Sequence, residues 1–263
     1  MRSPRGWLAA ALRIGFACAP PAAAAAQTPA HHPSATAAGA QQSPIDIRGD
    51  DLQVAGLHHL PPLEFHYATH ARLDVENTGS PGEEATVRAN VAPGAGTLRV
   101  GDRVYELVQF HWHIPAEHRM NGELYPMEMH LVHRAADSTT LVTCVFIRAG
   151  AADSNLAAVF EHFPRRSGDH VGVADFDIAA LVPPDHESVR YTGSLTTPPY
   201  TEGVRWIVLT TPIELSPAEI AAFGALFPDG DSRPVQPLNA RTLEADEALH
   251  RGARGDKAPI HLH

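Results

Sequence analysis

Two short segments constrain this 263-residue chain more than any other feature. They are Gln109-Phe110-His111-Trp112-His113 and Glu128-Met129-His130-Leu131-Val132-His133. Both alternate as β-strands do, sending successive side chains to opposite faces. Gln109, His111 and His113 then share one face, with Phe110 and Trp112 on the other. On the second segment Glu128, His130 and Val132 share a face, opposite Met129, Leu131 and His133. If the two strands pair, three imidazoles converge from a rigid sheet. Three neutral nitrogen ligands with one open position describe a catalytic zinc site. Gln109 and Glu128 stand where partners are needed to fix each ring's tautomer and orientation. Histidine abundance is not the signal, because the chain has 17 of them and His31-His32 and His261/His263 fall in featureless sequence. The signal is an H-x-H answered on the same face by an E-x-H.

The N-terminus reads as an export signal over residues 1–26. Arg2 and Arg5 precede an apolar run from Trp7 to Ala17, and Ala24-Ala25-Ala26 offers a cleavage site before Gln27. A periplasmic or secreted destination follows, with lipidation at Cys18 as the alternative. No uninterrupted apolar run reaches the ~20 residues of a membrane span. Cleavage would remove three arginines and no acids, moving the formal charge from −10 to −13. So acidic a surface argues against nucleic acid or anionic membrane as partner. Cys144 would be the one cysteine left, which excludes an intramolecular disulfide.

Residues 27–41 form an Ala-, Pro- and His-rich lead-in without periodicity. Order is expected from Gln42, where Ile45 and Ile47 alternate with Asp46. Further strands are expected over 63–67, 73–76 and 86–91, and a hairpin turn at Gly101-Asp102 leads into the first histidine strand. Pro115 closes that strand, Asn121-Gly122 marks a turn, and the apolar run 141–147 reads as a buried central strand. Leu156, Val159, Phe160 and Phe163 keep helical spacing behind Asp153 or Ser154. Ser216-Pro217-Ala218-Glu219 is a capping box with proline at the first helical position, with Ile220, Phe223 and Phe227 on one face. Beyond Leu243 the chain becomes polar, so 244–263 reads as a tail. The whole is one mainly β domain with a few short helices, spanning 42–243.

The chain resembles an α-class carbonic anhydrase over that range. The residues that carry the resemblance are Gln42-Ser43-Pro44-Ile45-Asp46-Ile47, the two histidine segments, Glu117-His118, Gly193-Ser194-Leu195-Thr196-Thr197-Pro198-Pro199 and Arg233-Pro234-Val235-Gln236-Pro237-Leu238-Asn239. The resemblance implies a large, mostly antiparallel twisted sheet and a zinc lyase, carbonate dehydratase, that reversibly hydrates CO2 to bicarbonate and a proton through zinc-bound hydroxide. It implies Zn²⁺ on His111, His113 and His130, with Gln109 and Glu128 supporting the rings. Thr196 would accept a hydrogen bond from the hydroxide and donate its own hydroxyl hydrogen bond to Glu117, and Thr197 would contact bicarbonate. Val132, Val142, Leu195, Val204 and Trp206 would form the apolar wall that CO2 needs. It implies cis peptides at Pro44 and Pro199. Oligomeric state stays open between monomer and homodimer.

The chain departs from the family in three places. The aromatic N-terminal segment common in the family is absent. The disulfide that commonly ties the Gln-Ser-Pro region to the residue after Pro-Pro has neither partner here, Tyr200 standing at one position, so a less constrained loop is expected. The histidine that follows Asn-x-Gly as proton shuttle is replaced by Ser80, which cannot cycle a proton near neutral pH. Impaired proton transfer follows, with Glu83, Glu84 or His66 as substitutes. Two rival readings remain. One is a cupin-type metal enzyme using His111, His113 and Glu117 as ligands. The other is a non-catalytic zinc-binding module on the same fold.

Overall fold

A computed structural model of the chain describes residues 39–54, 60–79 and 86–246. The export signal, most of the lead-in, Ser80, Glu83 and Glu84 lie outside the described residues. The strands are β1 (Asp46–Ile47), β2 (Leu52–Val54), β3 (Leu63–Tyr67), β4 (Ala71–Asn77), β5 (Val87–Val91), β6 (Gly96–Val100) and β7 (Arg103–His113). They continue as β8 (Arg119–Met120), β9 (Met127–Arg134), β10 (Thr140–Ala149), β11 (His170–Phe176), β12 (Ser188–Ser194), β13 (Glu202–Leu215) and β14 (Leu243–Ala245). Two helices interrupt them, α1 (Ser154–Phe160) and α2 (Pro217–Gly224).

Ten strands lie side by side in the order β11-β4-β5-β7-β9-β10-β13-β12-β14-β2, and the antiparallel pair β3-β6 joins at the first half of β7 through β6. Pairing is antiparallel except for β10 with β13 and β14 with β2. The sheet is therefore mixed, and its parallel join lies next to the histidine strands. A small parallel pair, β1 with β8, stands apart.

The strands expected over 63–67, 73–76, 86–91 and 141–147 and the two histidine strands all form, and β3 and β4 alternate buried with more exposed positions. Phe110, Trp112, Met129 and Leu131 project away from the histidines into one apolar core. Trp112 there meets Phe160, Phe163 and Phe223, with centroids 5.4, 5.8 and 6.4 Å away. Those rings come from α1, the turn after it, and α2, so the helices back the sheet behind the histidines. Asp153 caps α1 by accepting from the Asn155 and Leu156 N–H groups. Ser216 and Glu219 complete the capping box of α2, each cap contributing about 1 kcal/mol. A second core on the histidine face gathers Ile45, Ile47, Val142, Phe146, Val204 and Trp206.

Two expectations change. The sheet runs on past Leu243: β14 pairs with β12 and β2, burying Leu243 and Ala245. Asp246 then accepts from the backbone N–H and hydroxyl of Ser188, at 2.7 and 2.9 Å. Only Leu243 and Ala245, flanking Glu244, are apolar in this strand, a pattern too short to read locally. The second change is a third cis proline, Ile114-Pro115, beside those at Pro44 and Pro199.

Candidate metal centre and active-site cleft

β7 and β9 pair so that His111 lies directly opposite His130 and His113 opposite Glu128. The three rings form a triangle with centroid separations of 5.0, 5.2 and 4.8 Å. Each offers a nitrogen within 4.8 Å of the others. His113 and His130 are buried, and His111 is partly exposed.

The neighbours decide which nitrogens remain. His111 Nδ1 donates to Gln109 Oε1 at 2.9 Å, and His130 Nε2 donates to Glu128 Oε1 at 2.6 Å. That leaves His111 Nε2 and His130 Nδ1 for a metal. Both ring nitrogens of buried His113 lack a hydrogen-bond partner, and a buried polar group in that state calls for an ion or water. Burial keeps the rings neutral. It pushes His113 down to about 3 and lowers His130, and it holds His111 well below the ordinary value with help from His113, His130 and Arg88. Neutral, convergent imidazoles, with both nitrogens of His113 left without a hydrogen bond, fit a Zn²⁺ ion.

Glu128 is the hub behind them. Burial alone would push its pKa up. The His118 and His130 rings outweigh that and hold it well below the usual range. Its Oε2 accepts the His118 backbone N–H at 2.9 Å, and Oε1 also takes His118 Nδ1 at 3.1 Å. His118 Nε2 then accepts from the Tyr191 hydroxyl at 2.7 Å, which in turn meets Ser43 Oγ at 2.9 Å. His118 was legible only as part of a motif, with no role attached. Gly193 makes room for this chain, since a Cβ there would stand 2.1 Å from Ser43 Oγ.

Of the other expected residues, Glu117 and Trp206 lie against the triangle. Glu117 is buried, accepts the Arg233 N–H on Oε1 at 2.8 Å, and brings Oε2 to 3.7 Å from His113 Nε2. Thr196 is buried and Thr197 half-buried in the loop after β12, which closes on itself through Leu195 N–H to Thr201 O and Tyr200 N–H to Thr197 O. Val142, Val204 and Trp206 pack together, with Val132 and Leu195 against them. Trp206 lies 4.9 Å from the His130 ring. On the β5 side the row is polar: Arg88 pairs with His111 and Asn90 with Gln109. His66 is not at the site, since β3 pairs with β6 and places His66 opposite Thr97, in turn opposite Glu106.

Two neighbours escaped sequence reasoning. Asp231 sits 3.7 Å from His113 Nδ1 and accepts the Ile114 N–H at 2.7 Å, and burial raises its carboxyl to about 8. Cys144 lies opposite His130 on β10 and forms a second convergent group with His118, Glu128 and His130. The ring nitrogens of that group that face Glu128 are already hydrogen-bonded, so the three-histidine group is the better metal site. Neither residue had a signal within its own stretch of sequence.

A non-covalent clamp occupies the position of the absent disulfide. The Arg233 guanidinium lies 3.7 Å over the Tyr200 ring and donates to Gln42 Oε1 and Ser43 O at 3.0 and 2.6 Å. Glu202 Oε1 accepts from the Gln41 N–H and the Gln42 amide at 2.7 and 2.9 Å. The expected loosening is thus opposed by stacking and charge.

The family model for eukaryotic-type carbonic anhydrase matches residues 27–247. The chain belongs to the α-class carbonic anhydrase family. It is 40% identical to a carbonic anhydrase of Nostoc sp. over 207 residues, covering 78% of this chain and 75% of that one. With a carbonic anhydrase of Neisseria gonorrhoeae it shares 37% over 205 residues, covering 78% and 77%. Among solved structures, the α-carbonic anhydrase of Thermovibrio ammonificans in complex with sulfanilamide superposes with a TM-score of 0.71 at 36% identity, covering 78% of this chain and 86% of that one. The family consists of lyases, and the cupin reading falls with this membership.

Proposed function

We propose that this carbonic anhydrase family member hydrates CO2 with Zn²⁺ held by His111, His113 and His130. The observation that carries the reading is the triangle of neutral imidazoles whose remaining nitrogens converge. When bound, Zn²⁺ lowers the pKa of a water to about 7 and so supplies a nucleophile at neutral pH. Gln109 and Glu128 keep the protons of His111 and His130 off the nitrogens that face the ion. Thr196 orients the attacking oxygen by accepting its hydrogen bond while donating a hydroxyl hydrogen bond of its own to Glu117, a positional contribution. The Thr196 N–H stabilises charge growing on a CO2 oxygen, and Thr197 contacts bicarbonate. Val132, Val142, Leu195, Val204 and Trp206 hold the apolar substrate.

Proton release limits turnover, because Ser80 stands where a histidine would carry the proton to buffer. The protein is exported after removal of residues 1–26. The test is the CO2 hydration rate of the zinc-loaded protein across rising imidazole concentration. The rate should climb with buffer, and Ser80→His should raise the buffer-free rate. A fast rate insensitive to buffer refutes the proton limit, and no activity at any buffer level refutes the function.

A further inference from the structure

One cross-strand row carries charge up to the metal triangle. His170 on β11 pairs with Glu76 on β4, Glu76 with Arg88 on β5, and Arg88 with His111 on β7. Directly paired residues project from the same face with Cβ atoms about 5 Å apart. Arg88 therefore leaves the sheet beside His111, on the face that carries the three imidazoles. Its Nη2 donates to Glu76 Oε2 at 2.6 Å, and Asn90 Nδ2 reaches the same oxygen at 3.4 Å. The other Glu76 oxygen stands 3.9 Å from His170 Nε2, and His170 Nδ1 lies 3.1 Å from Asp74 Oδ1.

Arg88 is not fully spent in this row. Its Nε is buried and has no hydrogen-bond partner among the described residues, while the side chain as a whole is 38% exposed. The buried Nε is closed to an incoming ion, but the exposed remainder of a guanidinium held on one edge can still receive an oxyanion. The neighbouring polar groups, Asn90 and Gln109, add no negative charge. Glu76 is the acid of the row, already drawn to Arg88 and His170, and Asp74 lies one row over, opposite Asn90. Apolar side chains line the β10–β13 side of the cleft, so the two sides differ in what they attract.

We propose that Arg88 is an anion-recruiting residue of this cleft, drawing bicarbonate and other small monoanions to the metal position, with Glu76 tempering its charge. The inference rests on the hydration reading for the identity of the anion. CO2 is uncharged and gains nothing from Arg88. Bicarbonate carries a full charge and gains the Coulombic attraction, which salt screens.

The experiment titrates thiocyanate and bicarbonate against the cobalt-substituted protein, reading the anion from the visible spectrum of the metal. Removing the charge with Arg88→Gln should weaken both anions about fivefold at low ionic strength, with the difference closing at about 0.5 M inert salt. Arg88→Lys should restore most of the affinity, and Glu76→Gln should tighten it beyond wild type. Equal anion affinity in wild type and Arg88→Gln, or a loss that lysine does not restore, overturns the proposal. An unchanged anion-free spectrum checks that the imidazoles are intact. If Arg88→Gln does not hold cobalt, Glu76→Gln decides, and affinity no tighter than wild type overturns the proposal. Turnover is not needed for the readout, so a zinc protein that fails to hydrate CO2 would refute the function separately.

Discussion

Replacing Glu128 with glutamine tests whether a single carboxylate sets the state of the metal centre. The change is nearly isosteric, so packing around a fully buried side chain stays close to native. Its hydrogen bonding does not. Three donors converge on Glu128: His130 Nε2 at 2.6 Å, His118 Nδ1 at 3.1 Å and the His118 backbone N–H at 2.9 Å. A carboxylate accepts all three, whereas an amide has one accepting oxygen and an NH2 that needs acceptors. With the oxygen toward the rings, the NH2 faces the His118 N–H. With the amide flipped, it faces two ring nitrogens, and His130 relieves the clash only by moving its proton to Nδ1, the nitrogen that would face the metal. The first arrangement leaves a buried donor unmet, costing about 1–3 kcal/mol of metal-free stability. The second weakens zinc binding by about 10- to 100-fold. Chelator competition measures the zinc affinity, and urea denaturation of the metal-free protein measures the stability. Wild-type values in both assays would refute the argument that Glu128 fixes the His130 tautomer.

Other perturbations probe separate parts of the site. Thr196→Ala should lower CO2 hydration by about 10²-fold while zinc affinity holds, and a rate within threefold of wild type would remove Thr196 from the chemistry. His133 is buried and neutral, with its pKa pushed by burial down to about 4, against about 6.5 unfolded. Between those values the unfolded chain takes up a proton that the folded chain refuses. Metal-free stability should therefore fall as pH drops from about 6.5 toward 4, by roughly 3 kcal/mol from this residue. Denaturation midpoints that stay flat across that window would contradict it. Tyr200→Ser removes the stacking surface under Arg233 and should cost about 1–2 kcal/mol. A thermal midpoint unmoved by that change would show the clamp to be unnecessary.

Local periodicity carried much of this fold. His111 and His113 alternate with Phe110 and Trp112, and that alternation both places the strand and separates the imidazoles from the aromatic core. Ser216 and Glu219 announced α2 through chemistry within four residues. What stayed hidden depends on partners distant in the chain. Nothing near Thr140–Ala149 says that it pairs in parallel with β13, and nothing near Leu243 says that it finds β12 and β2. The same limit applies to the site. Glu128 is legible because it lies two residues from His130. Asp231 reaches His113, and Arg88 stands beside His111, only once the sheet is assembled.

The clamp around Tyr200 has a consequence for the conditions under which this domain can mature. Its closure joins Gln42, Ser43, Tyr200, Glu202 and Arg233 through a stacked guanidinium and hydrogen bonds, with no sulfur taking part. Cys144, the one cysteine among the described residues, is buried elsewhere in the sheet. Assembly of this clamp therefore needs no oxidant, no disulfide isomerase and no particular glutathione balance. The same closure can form on the ribosome-proximal side of a membrane or beyond it, and a reductant should leave it intact.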